Sequence, residues 1–142
     1  MALHVDINDP KISIEPESTR SVELKVDIPE DSHARTKDVG ITMIIKGKIM
    51  ADAGEVGKPA DSTAKLLEWS KIPAEKKEAY RNVVVKVQSG AINTRMYQLP
   101  NAYIVDYYED FNDQEGTGLF TLVLKQMKNK LSGVMISGGF TD

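Results

Sequence analysis

The chain has 142 residues, 41% of them hydrophobic, with a formal net charge of −3 and no cysteine. That length supports a full core without disulfides or a structural metal and points to one domain spanning 1–142. The lack of cysteine excludes disulfides, thiol catalysis and cysteine-ligated metal, and the mixed charge offers no basic patch for nucleic acid.

The first residues, from Met1 to Lys11, lack a basic segment followed by an apolar run, so no signal peptide is expected. No stretch of about 18 apolar residues is present, so no membrane insertion is expected either. The expected location is the cytoplasm, with any export using a route other than a cleaved leader.

Leu3, Val5 and Ile7 alternate with His4 and Asp6, which predicts a short first strand. Asn8-Asp9-Pro10 is a turn signal, and Ile12 and Ile14 begin a second extended piece that Pro16 interrupts. Val22, Leu24, Val26 and Ile28 alternate with charged Glu23, Lys25 and Asp27, as in a half-buried strand. Pro29 to Gly40 is a polar loop near the upper length for a compact domain. Ile41 to Met50 resumes strand character, with Ile44 breaking the alternation. Gly47 inside it predicts a bulge or a close backbone approach.

Ala51 to Pro59 is a flexible linker. A helix is expected over Thr63–Ser70, capped by Asp61 or Ser62. Ala64, Leu67 and the stem of Lys71 would form one stripe, with Leu66 and Trp69 beside it. Ile72-Pro73 ends this helix, and Pro73 is placed to start a second short one running to Tyr80. Trp69 is expected to be a core anchor. Strands are then expected around Val83–Val87 and Ile92–Tyr97, joined by a Ser89-Gly90 turn. Pro100-Asn101 should separate this hairpin from a longer one. That second hairpin pairs Ala102–Tyr108 with Leu119–Gln126 around a polar turn containing Gly116 and Gly118. Lys128-Asn129-Lys130 is a basic turn, followed by a last strand near Gly133–Ile136. The fold class is therefore mainly β: a two-sheet barrel or sandwich of seven or eight strands with one helical insert at about 61–80.

Candidate chemistry is sparse. His4 and His33 lie far apart and outside any metal-spaced motif, and no nucleophile elbow is present. Neither histidine is expected within hydrogen-bond reach of both a serine and a carboxylate. Asp106, Glu109, Asp110, Asp113 and Glu115 form an acidic cluster, but Asp106 and Glu109 have opposite parity on a strand and would face opposite sides. No catalytic, cofactor-binding or metal-ligating residue is therefore assigned. Tyr97, Tyr103, Tyr107 and Tyr108 form an aromatic set suited to cross-strand packing or, next, to a subunit interface.

Leu66-Leu67-Glu68-Trp69, then a strand pair, then Leu99 to Phe111, a glycine loop and Phe120 to Leu124 follow an order that resembles the haemolysin-coregulated-protein (Hcp) tube subunits of type VI secretion. These are themselves similar to phage tail-tube proteins. Asn101, Ala102, Tyr103, Val105, Tyr107, Glu109 and Phe111 carry the likeness, which spans Leu66 to Leu124. It implies a non-enzymatic structural subunit that partners itself, in a hexameric ring that stacks into a tube. Sheath, baseplate or effector proteins are further implied partners, and no cofactor is implied. On that reading the loop residues Glu30, Asp31, Arg35, Lys37 and Asp38 reach a neighbouring ring and set its register. Three stretches, Asp31 to Gly40, Glu68 to Val83 and Leu99 to Gly116, are also similar to firmicute proteins labelled "membrane-associated protease 1". That label implies a hydrolase. A monomeric β-sandwich binding module is the remaining alternative.

Overall fold

The computed structural model describes residues 2–8, 11–16, 18–27, 40–49, 63–90, 92–112, 117–126 and 135–137. In chain order these form β1 (Ala2–Asn8), β2 (Ile12–Ile14), β3 (Thr19–Asp27), β4 (Gly40–Ile49), α1 (Thr63–Ser70), a 3-10 turn (Lys77–Ala79), β5 (Arg81–Ser89), β6 (Ile92–Asn112), β7 (Thr117–Gln126) and β8 (Met135–Ser137). The strands build one antiparallel sheet in the order β2-β1-β5-β6-β7-β4-β3, with β8 pairing with β6. The described residues are thus mainly β with one short α-helix, and among them the sheet does not close into a barrel.

The strand β6 is what makes one sheet behave as two layers. Its first half pairs with β5, from Ser89↔Ile92 to Arg81↔Ala102. Its second half pairs with β7, from Ala102↔Gln126 to Asn112↔Thr117. Pro100-Asn101 was expected to end a strand, yet β6 runs through it. A register shift between Arg81 and Val83 places the extra residue there. A bulge tolerates proline because the missing N–H has no ladder bond to make.

The two half-sheets turn their apolar faces toward each other. Val5, Ile7, Val83, Val85 and Leu99 on one side join Met43, Ile45, Phe120, Leu122 and Leu124 on the other in a single buried cluster. Strict alternation makes this work, since inward residues recur at every second position. Full burial of side chains this size is worth roughly 1.5–3 kcal/mol each.

Helix α1 packs on β6 and β2. Its buried pair is Leu66 and Trp69, while Leu67 remains 42% exposed. The i, i+3 pair therefore wins over the expected Ala64–Leu67 stripe. Trp69 is the anchor it was expected to be. Its indole N–H donates to the Ala79 carbonyl at 2.9 Å, and the Arg81 guanidinium sits 4.9 Å from the ring centroid. After Pro73 the chain makes turns and the short 3-10 segment instead of a second α-helix. Tyr80 braces that segment by donating its hydroxyl to the Ala74 carbonyl at 2.8 Å.

Candidate functional site: two open edges and the faces beside them

Among the described residues the half-sheet β6-β7-β4-β3 ends in a strand with an open outer side at each end. Among the described residues β3 pairs only with β4, and residues 103–112 of β6 pair only with β7. Unpaired edges present rows of free N–H and C=O groups that template pairing with another chain. Large apolar side chains stay exposed on both end strands: Val26 on β3 (48%), and Val105 (46%), Tyr108 (53%) and Phe111 (67%) on β6.

Two bulges shape these edge strands. On β6 the register shifts between Ile104 and Asp106, which leaves Val105 without an opposite residue. Parity flips there. Ala102 and Ile104 face the core before the bulge, and Tyr107 does so after it. The simple alternation expected from Ala102 to Tyr108 is thereby broken, which explains why that strand reads as less one-sided than β7. On β3 the shift falls between Thr19 and Ser21, so Arg20 is the extra residue. Facing it, Gly47 meets the close approach its sequence position predicted. A Cβ there would fall on the Ser18 carbonyl oxygen and lie 2.7 Å from the Phe120 ring.

The positions that carry the tube likeness all lie on β6. The Asn101 backbone N–H donates to Gln126 Oε1 at 3.3 Å, and Ala102 is fully buried. The Tyr103 ring meets Tyr80 edge-on with centroids 5.6 Å apart. Tyr107 stacks on Phe120 at 6.4 Å and donates its hydroxyl to Glu109 Oε2 at 3.0 Å. Phe111 lies over Gly118, where a Cβ would come 2.5 Å from its ring. The tyrosines therefore divide between cross-strand packing and the exposed Tyr108. Asp106 and Glu109 do face opposite sides, as their opposite parity requires. Asp113 and Glu115 lie outside the described residues, as do Glu30, Asp31, Arg35, Lys37, Asp38 and His33. Among the described residues no cluster of His, Asp or Glu could hold a metal ion.

His4 lies within hydrogen-bond reach of a serine but not of a carboxylate, so it does not meet both, as expected. Its Nε2 lies 3.0 Å from Ser13 Oγ, with Asp6 Oδ1 at 3.6 Å and Glu15 Oε2 at 3.9 Å. The histidine thus does meet a serine, with carboxylates just beyond hydrogen-bond range. Sequence could not show this, because β1 and β2 bring the residues together only through the pairing Asp6↔Ser13. The arrangement is nevertheless wrong for an activated nucleophile. Such a site needs the imidazole to accept the serine proton on one nitrogen while a carboxylate holds the other. Here every partner converges on the same Nε2, and the Ser13 hydroxyl donates to Glu15 Oε1 at 3.2 Å. The cluster sits on the open outer face of β1, where it ties β2 to its neighbour.

No family model matches the chain, and no curated protein matches it. Solved structures do. Hcp1 from Flavobacterium johnsoniae superposes with a TM-score of 0.58 at 15% identity, covering 100% of this chain and 99% of that one. A sheath/tube terminator of the extracellular contractile injection system PVC gives 0.58 at 11% identity, covering 96% and 94%. A chain of the anti-feeding prophage baseplate gives 0.56 at 13% identity, covering 99% and 95%. The fold is therefore Hcp-like over nearly the whole chain, including the half before α1 where sequence likeness was not found.

Proposed function

We propose that this chain is a structural subunit of the tube of a contractile injection or phage-tail-like apparatus, and that its copies join edge to edge into rings. The observation that carries the reading is the four-strand half-sheet, whose two end strands have no further partner among the described residues. Its strands alternate in direction, so β3 and the second half of β6 run opposite ways. With an even number of strands, β3 of one copy laid beside β6 of the next continues the antiparallel pattern unbroken. That contact is head-to-tail, and head-to-tail contacts close into rings when the rotation per copy divides the circle. Closure also removes the liability of exposed edges.

The Hcp-like fold supports the same reading. We take the ring to be hexameric and stacked, with the loop at Pro29–Gly40 contacting the next ring and sheath, baseplate or effector proteins as further partners. The chain acts as one domain, assembled in the cytoplasm and without catalytic chemistry. No helix among the described residues is long and apolar enough to cross a membrane. The test is negative-stain microscopy of concentrated protein together with its mass in solution. Annuli of uniform diameter are the expected result. A monomer at every concentration would leave the binding-module reading in its place.

A further inference from the structure

On the side of the β6-β7-β4-β3 half-sheet away from the core, a groove of about 430 Å³ is lined by Arg20, Lys46, Tyr108, Asp110, Leu119 and Thr121, among others. We propose that this groove binds an acidic peptide segment, with Arg20 and Lys46 receiving its carboxylates and Tyr108 packing against its backbone. The inference is separate from the ring reading, because it concerns outward side chains on the face of the sheet and not the backbone groups along its edges.

Three observations carry it. First, the register lines up Ser21, Lys46, Thr121 and Tyr108 across four neighbouring strands. At about 4.8 Å between strands this makes a row roughly 14 Å long, enough for several residues of an extended chain. Second, the bulge at Arg20 re-aims a cation toward the end of that row, and Gly47 makes the bulge sterically feasible. Bulges serve to redirect side chains in this way. Third, neither Arg20 nor Lys46 forms an ion pair among the described residues. Two unpaired cations beside two hydroxyls and a tyrosine ring are complementary to carboxylates on a flexible chain.

The surroundings choose between anionic ligands. Glu23, Asp106 and Asp110 stand on the same face among Lys25, Lys48 and Lys125, so the face is mixed in sign and suits a chain with spaced carboxylates better than an unbroken row of negative charge. The groove crosses four strands on the face of the sheet, whereas small-molecule sites bury most of their ligand. An acidic peptide places its charges at Arg20 and Lys46 and can turn a polar residue toward Asp110.

The experiment is fluorescence anisotropy of dispersed protein with a labelled peptide of alternating glutamate and serine. A lysine–serine peptide, inorganic phosphate as competitor and a single-stranded oligonucleotide serve as comparators. The glutamate peptide is expected to bind, more weakly as salt rises, and the lysine peptide is not. Arg20→Glu with Lys46→Glu should weaken binding at least about tenfold, because two attractive contacts become repulsive ones. Lys65→Glu, a change on exposed α1, should leave it unchanged. Asp110→Lys should strengthen binding several-fold, a gain that misfolding cannot produce. The proposal is overturned if the glutamate peptide does not bind, if Lys65→Glu weakens it as much as the groove variants do, or if Asp110→Lys brings no gain. Equal competition by phosphate, or equal binding of the oligonucleotide, would overturn it too. Assembly is scored separately by microscopy, so failure of rings and failure of this site are distinct results.

Discussion

Replacing Gly47 by alanine tests the geometry that joins the β3 edge to the core. The added Cβ would fall on the Ser18 carbonyl oxygen and within 2.7 Å of the Phe120 ring. Phe120 is 1% exposed and stacked on Tyr107, so its ring has little room to yield. The Ser18 carbonyl accepts the Lys48 N–H at 2.7 Å, so it is held in place as well. Overpacking of this kind costs about 1–3 kcal/mol, and losing the Lys48 bond adds about 1 kcal/mol. Against this, alanine removes a glycine entropy penalty of about 0.5–1 kcal/mol. The balance is a loss of about 1–3 kcal/mol, which for a chain of this size lowers Tm by roughly 3–10 °C. Urea titration and thermal melting followed by circular dichroism measure it. A variant that melts at or above the wild-type temperature would refute the reasoning, because Ser18 and Phe120 could not then be pressed against that position.

Trp69→Phe keeps a ring under Arg81 but strips the donor from the buried Ala79 carbonyl, and should cost about 1–3 kcal/mol in a urea titration. Val26→Lys together with Val105→Lys should leave the monomer's melting unchanged within about 0.5 kcal/mol, the usual range for exposed sites. The same pair should abolish annuli in the microscope, since lysine on an edge strand opposes strand addition. Shortening the loop between Pro29 and Gly40 should keep the fold by circular dichroism and yield single rings without stacks. An unfolded product would place that loop in the core.

Much of the fold was legible because burial in a sheet has a period of two. The inward set Phe120, Leu122 and Leu124, or Val83 and Val85, is visible as soon as the strand is proposed. Trp69 was legible as an anchor because a lone large aromatic on a short helix has few other uses. What sequence missed follows from two-versus-one pairing. A bulge such as Val105 or Arg20 is defined by the partner strand, and nothing in a strand's own residues announces it. Gly47 was the one local signal, and it marked the strand facing a bulge instead of the bulged strand. Pro100 misled for the same reason, since its missing donor matters only if a partner needs it. The meeting of His4 with Ser13 likewise depended on the β1–β2 register. The edges were not legible at all, because which strands end a sheet is a property of topology.

A ring of this kind requires β3 of one copy to lie beside the second half of β6 of the next. Because the chain has no cysteine, engineered pairs report this contact without background. Ser21, Glu23 or Lys25 would be changed to cysteine together with Asp106→Cys, so that the unknown register is sampled. Within one copy β4 and β7 lie between these strands, a separation of about 14 Å that no disulfide can bridge. Oxidation of at least one pair should give a ladder of cross-linked species that stops at one discrete closed ring. If every pair stays monomeric at concentrations where the protein is folded, these edges do not meet and the account is contradicted.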